Sequence, residues 1–294
     1  MSRVHIASFS EMDCFRQCPL KHELSYKERW VAPKTSPALA RGTDWHAVME
    51  THYLRKQQCD KTKTAYPTLA EEYEFLCNQH LLNKSGDWQD ETAELIAWML
   101  SGYLEQYGWD EDWRVLGVEH AAQVWLPTPQ GTRSRIKLKL KIDLVVKTRD
   151  TGKIWVVDHK SCRDLPKEKN LAIDDQFGLY TWAMRQLGRP VFGSIHNAAR
   201  TQRNKTKPQP LDERFLRRKM HRIDFELDLL AVEAYKTLRR AYSIKPGEAE
   251  RAPDPDRCGW RCDYTEACLY GRKVEDGTRR MLADTGFVVD RTRH

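Results

Sequence analysis

The sequence predicts an α/β fold, a central mixed sheet flanked by helices, and three observations carry that expectation. Arg133 to Lys160 alternates apolar and polar residues with period two on either side of Arg149-Asp150-Thr151-Gly152, the pattern of two strands joined by a short turn. A helical stretch around Asp175 to Tyr180 separates the second of these strands from another apolar run, Pro190 to Asn197, which is the spacing of a strand–helix–strand crossover. Thr68 to Tyr107 repeats its apolar residues at helical spacing, with one polar break at Asn83 to Asp87.

At 294 residues the chain holds one large domain, or a core domain with an insertion. Forty-nine Lys and Arg against 42 Asp and Glu leave +7, a mild excess that suits a polyanionic partner. No stretch approaches the ~20 apolar residues of a membrane span, and the N-terminus has no signal-peptide core, so the expected location is the cytoplasm. Eight cysteines in such a chain point to metal or redox use rather than disulfides.

Taken in order, a helix starts near Ser8 or Ser10, each of which offers a capping hydroxyl, and Pro19 ends it. Cys14 and Cys18, four apart, share a face of that helix. A second helix begins at Ala38 and carries His46, Met49, Glu50 and Tyr53 at helical spacing. A lone histidine there is an ordinary polar residue unless the fold brings it to the hairpin. Residues from about 50 to 112 read as a helical lobe inserted ahead of the sheet. Strand character starts at Arg114 to Glu119 and resumes at Ala121 to Leu126, and Pro127 to Gly131 turns the chain into the hairpin. Glu119 either reaches the hairpin's polar face or is a solvated strand residue, and the first reading is preferred.

Within the hairpin, Ile136, Leu138, Leu140, Ile142 and Leu144 share one face, while Arg133, Arg135, Lys137, Lys139, Lys141 and Asp143 share the other. A turn symmetric about Asp150 and Thr151 sets Asp143 opposite Asp158. Carboxylates with Cβ atoms roughly 4.5–5.5 Å apart repel unless something positive lies between them. Lys160 projects to the same face as Asp158. Alternating lysines also occur at solvated sheet edges. Here, though, Asp158 ends the apolar run Ile154 to Val157, and charged groups leaving a buried strand need a partner. Two carboxylates, a lysine and a basic row on one surface make a metal-assisted phosphodiester site.

Beyond Lys160 a polar loop to Lys169 leads to a helix that holds Gln176 and Tyr180 on one face. Arg200 to Arg222 is rich in cations, loop-like at first and then opening a helix that runs to about Tyr242. Such a run is most often a solvated face. Beside a phosphodiester site, Arg200, Arg203, Lys205 and Lys207, with Lys139 and Lys141 of the hairpin, are candidate nucleic-acid contacts. Cys258, Cys262 and Cys268 lie within eleven residues after Pro253 and Pro255. Soft thiolates this close select zinc or an iron–sulfur cluster, the alternative being free buried cysteines. Cys18, with Cys14 behind it, is the candidate fourth ligand, which would make the metal a clasp between the two ends of the chain. Residues 271–294 read as a polar tail.

The ordered set His46, Asp143, Asp158-His159-Lys160 and Gln176-x3-Tyr180 resembles the RecB-like branch of the PD-(D/E)XK nuclease superfamily. The four cysteines, with Cys18 in a Cys-Pro pair, resemble its iron–sulfur members: the AddB nuclease domain, the CRISPR-adaptation exonucleases and their phage relatives. Phe192 to Pro208 is similar to phage members in particular. The likeness covers about residues 8–270, without the helical lobe and the tail. Two departures stand out. The cysteine spacing is three then five where two then five is usual, and Leu140 replaces a glycine that many relatives carry.

This resemblance implies a restriction-endonuclease-like core, one nuclease domain over 1–270 with its cysteine clasp at 18 and 258–268. It implies a DNA exonuclease of recombination, repair or replication, working in the host cytoplasm if a phage supplies the gene. Mg²⁺ or Mn²⁺ would be held by Asp143 and Asp158, helped by His46 and the backbone carbonyl of His159. Lys160 would orient the attacking water or stabilise charge on phosphorus, and Gln176 and Tyr180 would position the nucleophile or the substrate strand. Cys18, Cys258, Cys262 and Cys268 would bind a structural 4Fe–4S cluster, with zinc as the rival. Two other readings stand beside this one. A zinc-bound nucleic-acid-binding module without catalysis leaves Asp143, Asp158 and Lys160 unused. A nuclease serving a larger machine would process CRISPR spacers or work beside a helicase or recombination protein; no helicase motif is present, so that partner would be another chain.

Overall fold

A computed structural model describes residues 4–34, 36–204, 206–271 and 276–292. They form a mixed α/β fold with a central mixed sheet flanked by helices. Two compact units divide the chain, one of residues 1–35, 125–139 and 231–294, the other of residues 36–124 and 140–230.

The first unit opens with β1 (His5–Ser8) and α1 (Phe9–Gln17). The Ser8 hydroxyl accepts from the Glu11 N–H at 3.1 Å and caps the helix, as the sequence expects. Pro19 ends α1 and starts α2 (Pro19–His22), since its ring forbids an interior helical bond but suits a first turn. A π-helical turn at Glu23–Lys27 and β2 (Trp30–Val31) follow. The sequence reading has no counterpart to β1: four residues are too short to display a period, and their pairing partner lies far downstream.

In the second unit, α3 (Pro37–Thr62) is one helix, capped by Ser36 and begun by Pro37. It continues past residue 50, where the sequence suggests a separate lobe, because Trp45, Val48, Met49 and Tyr53 form one buried stripe. α4 (Leu69–His80), opened by a Thr68/Glu71 capping box, and α5 (Glu91–Tyr107) pack with α3. β3 (Trp113–Pro127) runs through Glu119, whose φ of 50° interrupts the extended backbone between the two segments visible in the sequence. β4 (Arg133–Thr148) and β5 (Ile154–Cys162) form the expected antiparallel hairpin in register Leu144↔Val157. α6 (Glu168–Ala172) and α7 (Asp175–Gln186) then lead to β6 (Val191–Arg200), which lies parallel to β5.

After α8 (Leu211–Arg214), the expected long helix is replaced by β7 (Phe215–Met220), antiparallel to β6, and only then comes α9 (Asp224–Ser243). Arg217, Arg218 and Lys219 favour helix locally, but the open edge of β6 offers six paired positions. Gly193 permits the close approach, since a Cβ there would meet the Met220 carbonyl oxygen at 2.2 Å. The sheet is ordered β1-β4-β5-β6-β7, with β1 parallel to the first half of β4 and β3 also paired to β4. Trp45, Tyr53, Tyr103, Leu144, Val157 and Ile195 anchor the core of this unit.

The chain closes in the first unit with α10 (Pro255–Arg261), α11 (Thr265–Tyr270), α12 (Gly277–Asp284) and β8 (Val288–Val289). These last elements fall within the stretch that the sequence reads as a polar tail. Leu282 is buried with Leu24, Tyr264 and Ala267, and β8 pairs with β2. Among the described residues, no helix is long and apolar enough to cross a membrane.

Candidate active site

The hairpin register, carried one step past Leu144↔Val157, sets Asp143 and Asp158 face to face. Asp143 Oδ2 accepts from the His159 backbone N–H at 2.7 Å and lies 3.2 Å from Nδ1 of His46 on α3. Glu119, whose role the sequence leaves open, joins them. Ligand atoms of His46, Glu119 and Asp143 all lie within 4.8 Å of one another, a separation one metal ion can bridge. Glu119 also forms an ion pair with Lys141. Its left-handed backbone costs on the order of 1–3 kcal/mol, a cost that accumulates at functional positions.

Asp158 stands outside that trio. It is 3 % exposed, with Lys160 Nζ 2.7 Å from Oδ2 and Gln176 Nε2 donating to Oδ1 at 3.2 Å. Lys160 Nζ donates to Gln176 Oε1 at 3.3 Å, and the same amide donates to the Tyr180 hydroxyl at 2.9 Å. The Asp174 carboxylate caps α7 by accepting from the Gln176 N–H, so the helix start itself fixes this residue. The structure therefore gathers Asp158, Lys160 and Gln176 into one cycle beside the trio, with Tyr180 attached through Gln176.

Electrostatics sorts these groups. Burial pushes the Asp158 carboxyl up to about 6, Lys160 opposing and Asp143 adding to the rise. Burial acts the same way on Asp143, but the hydrogen bond and charge of His46, with the His159 N–H, outweigh it and hold this carboxyl below the ordinary range. Burial works against charge on His46 and Lys160, yet Asp143 and Asp158 respectively prevail and raise both. The His159 ring is different. Burial drives it down to about 3, and its Nδ1 faces Asn197.

Of the candidate nucleic-acid contacts, Lys139 is half-buried and Lys141 exposed, while Arg200, Arg203 and Lys207 line one surface cavity of about 380 Å³. Arg200 is also paired with Asp164. Lys205 lies outside the described residues.

The candidate cysteine ligands lie in the first unit. Cys18, Cys258, Cys262 and Cys268 line a cavity of about 250 Å³ together with Leu20 and Leu24. The Ala252 N–H donates to Cys18 Sγ at 3.4 Å and the Asp254 N–H to Cys258 Sγ at 3.5 Å. Among the described residues no three thiols come within 4.8 Å of one another. Four sulfurs on one tetrahedral zinc, at Zn–S of about 2.3 Å, would lie about 3.8 Å apart. Burial pushes the Cys14 thiol up to about 12, which disfavours the thiolate that a ligand must be.

Residues 6–269 match the family model of the PD-(D/E)XK nuclease superfamily. The chain belongs to that superfamily. No curated protein matches it. Among solved structures, this nuclease is similar to a candidate exonuclease from Eubacterium rectale, with 16 % identity over 88 % of this chain and 86 % of that one and a TM-score of 0.48. It is also similar to SSO0001, with 11 % identity over 93 % and 89 % and a TM-score of 0.39. PD-(D/E)XK nucleases are hydrolases that use divalent metal ions, and the His46, Glu119, Asp143 group suits one.

Proposed function

We propose that this superfamily member is a DNA exonuclease, dependent on Mg²⁺ or Mn²⁺, with a structural 4Fe–4S cluster. The observation that carries the reading is the approach of His46, Glu119 and Asp143 to within 4.8 Å of one another, beside the Asp158–Lys160 ion pair. These three residues would hold the ion, with Asp158 and the His159 backbone carbonyl as further oxygen donors. Oxygen ligands suit Mg²⁺, and the imidazole shifts preference toward Mn²⁺. When bound, the ion polarises the scissile phosphate and lowers the pKa of a coordinated water.

The chain's own groups do the rest. Lys160, kept charged by Asp158, offers positive charge where negative charge develops at phosphorus. Gln176 holds Lys160 and Asp158 in fixed relation, and Tyr180 steadies that amide. Arg200, Arg203 and Lys207 meet the phosphate backbone. The N–H groups aimed at Cys18 and Cys258 suit thiolate ligands, and the four cysteines around one cavity support a cluster there, with zinc as the rival. Hydrolysis consumes no electrons, so the cluster's part is structural. A substrate of DNA ends suits recombination, repair or replication, beside a helicase or recombination protein supplied as a separate chain.

The test uses protein purified without oxygen and end-labelled linear DNA with Mg²⁺, Mn²⁺ or EDTA, wild type beside Lys160→Ala. Expected are ion-dependent loss of label, covalently closed circles left intact, and a rate at least about 10²-fold lower in the variant. DNA that is bound but uncut under every ion overturns the reading and leaves the binding module in its place.

A further inference from the structure

Behind the ligand-bearing hairpin runs a buried hydrogen-bonded chain that the reading above does not use. It starts at Arg217 on β7, within the basic run that the sequence assigns to a solvated or DNA-facing surface. Its side chain is only 16 % exposed. The guanidinium pairs with both Asp110 carboxylate oxygens, Nη2 to Oδ2 at 2.9 Å, and lies over the rings of Tyr107 and Trp113 at 3.4 and 4.3 Å. Nη2 also donates to the Tyr103 hydroxyl at 2.7 Å, and Nε donates to Asn197 Oδ1 at 3.1 Å. The Tyr53 hydroxyl donates to Asp110 at 2.6 Å and lies 2.8 Å from that of Tyr103.

The donor inventory leaves one arrangement. Arginine only donates and a carboxylate only accepts. Tyr53 gives its proton to Asp110, so Tyr103 gives its own to Tyr53, and the Tyr103 oxygen accepts from Arg217 and from Asn197 Nδ2 at 2.7 Å. With Oδ1 facing Arg217, the Asn197 amide has a single orientation, and its second N–H points at His159 Nδ1, 2.8 Å away. The His159 ring is thus held from one edge by Asn197, and the Tyr53 ring stacks on it at 5.4 Å. Tyr53, Tyr103, Asn197 and His159 are all buried, so water does not compete for these bonds. His159 stands between Asp158 and Lys160 in the strand, and its backbone N–H donates to Asp143 Oδ2 at 2.7 Å.

We propose that Asn197 and Arg217 are positioning residues for the metal ligands: by fixing the His159 side chain they fix the peptide N–H that aims the Asp143 carboxylate toward His46 and Glu119. The inference rests on the metal-site reading of that trio. Asn197 supplies the direction of the bond and Arg217 supplies the orientation of Asn197.

Calorimetric titration of Mn²⁺ into the full chain without DNA tests it, with Asp143→Asn as the blank for binding elsewhere. Asn197→Asp keeps the side-chain size and gives Arg217 a carboxylate, but removes the N–H groups that Asn197 directs at Tyr103 and His159 and forces the imidazole to shift its proton to Nδ1 to keep any bond. It is expected to bind Mn²⁺ about 10- to 100-fold more weakly, with nuclease rate largely recovered at saturating Mn²⁺. Arg217→Lys keeps the charge beside Asp110 without reaching Asn197 at the same time, and is expected to lose affinity in the same direction. Leu100→Ala, in the same core but outside the chain of bonds, is expected to lower Tm while holding Mn²⁺ affinity within about twofold. Affinity unchanged in Asn197→Asp and Arg217→Lys, or lowered as much in Leu100→Ala, overturns the inference. Wild type that binds no more Mn²⁺ than Asp143→Asn overturns the metal-site reading beneath it.

Discussion

Asp143, Asp158 and Lys160 each have a protein partner at 2.7 Å, whereas Cys18, Cys258, Cys262 and Cys268 are spread around a cavity of about 250 Å³. The carboxylate site is organised by the fold, through a strand register, a helix cap and a buried hydrogen-bonded chain. The cysteine site has backbone N–H groups directed at two of its sulfurs, and on the proposed reading a bound cluster would bring the rest into relation. Loss of a ligand residue therefore ought to act on chemistry in the first site and on folding in the second.

Cys258→Ser gives the largest expected effect. On the proposed cluster reading, this substitution would remove the folding free energy that binding contributes, so Tm should fall on the order of 10 °C and the visible absorbance expected of a cluster should be lost. A variant that keeps both absorbance and Tm would remove Cys258 from the ligand set. Glu119→Gln acts on the other side of the comparison. It keeps the side-chain length but removes a charged ligand, so half-maximal activity should require about tenfold more Mn²⁺ while Tm stays near wild type. Equal Mn²⁺ requirement in both proteins removes Glu119 from the ligand set.

The smallest effect is a pH dependence. Folded metal-free protein holds the Asp158 proton to about 6 against an ordinary 3.8, so it binds that proton more tightly than the unfolded chain does. The stability this group contributes is present below about pH 4 and is lost as pH rises through about 6. Across that window the Tm of wild type should fall by a few degrees relative to Asp158→Asn, and Mn²⁺ should restore it. Parallel curves for the two proteins would contradict the burial argument.

Much of this was legible from the chain. Period-two alternation exposed the hairpin, and the Asp158-His159-Lys160 spacing exposed its polar face. What stayed hidden depended on distant pairing. β1 is too short to show a pattern, and β7 is spelled in residues that favour helix until β6 supplies an edge. Arg217 illustrates the same limit. In sequence it is one cation of many, and only the fold surrounds it with Asp110, Tyr103 and Asn197. Glu119 carried a partial signal, an acid directly after the apolar run Val115 to Val118, but nothing in its neighbours announced a left-handed backbone.

That backbone has an evolutionary consequence. Glycine adopts a φ of 50° without a steric penalty, so Glu119→Gly relaxes the strand while deleting a carboxylate from the candidate ligand set. Selection for thermal robustness alone would favour the glycine, and selection for cleavage would favour the glutamate. A position where the two pressures oppose each other records which of them has governed the lineage.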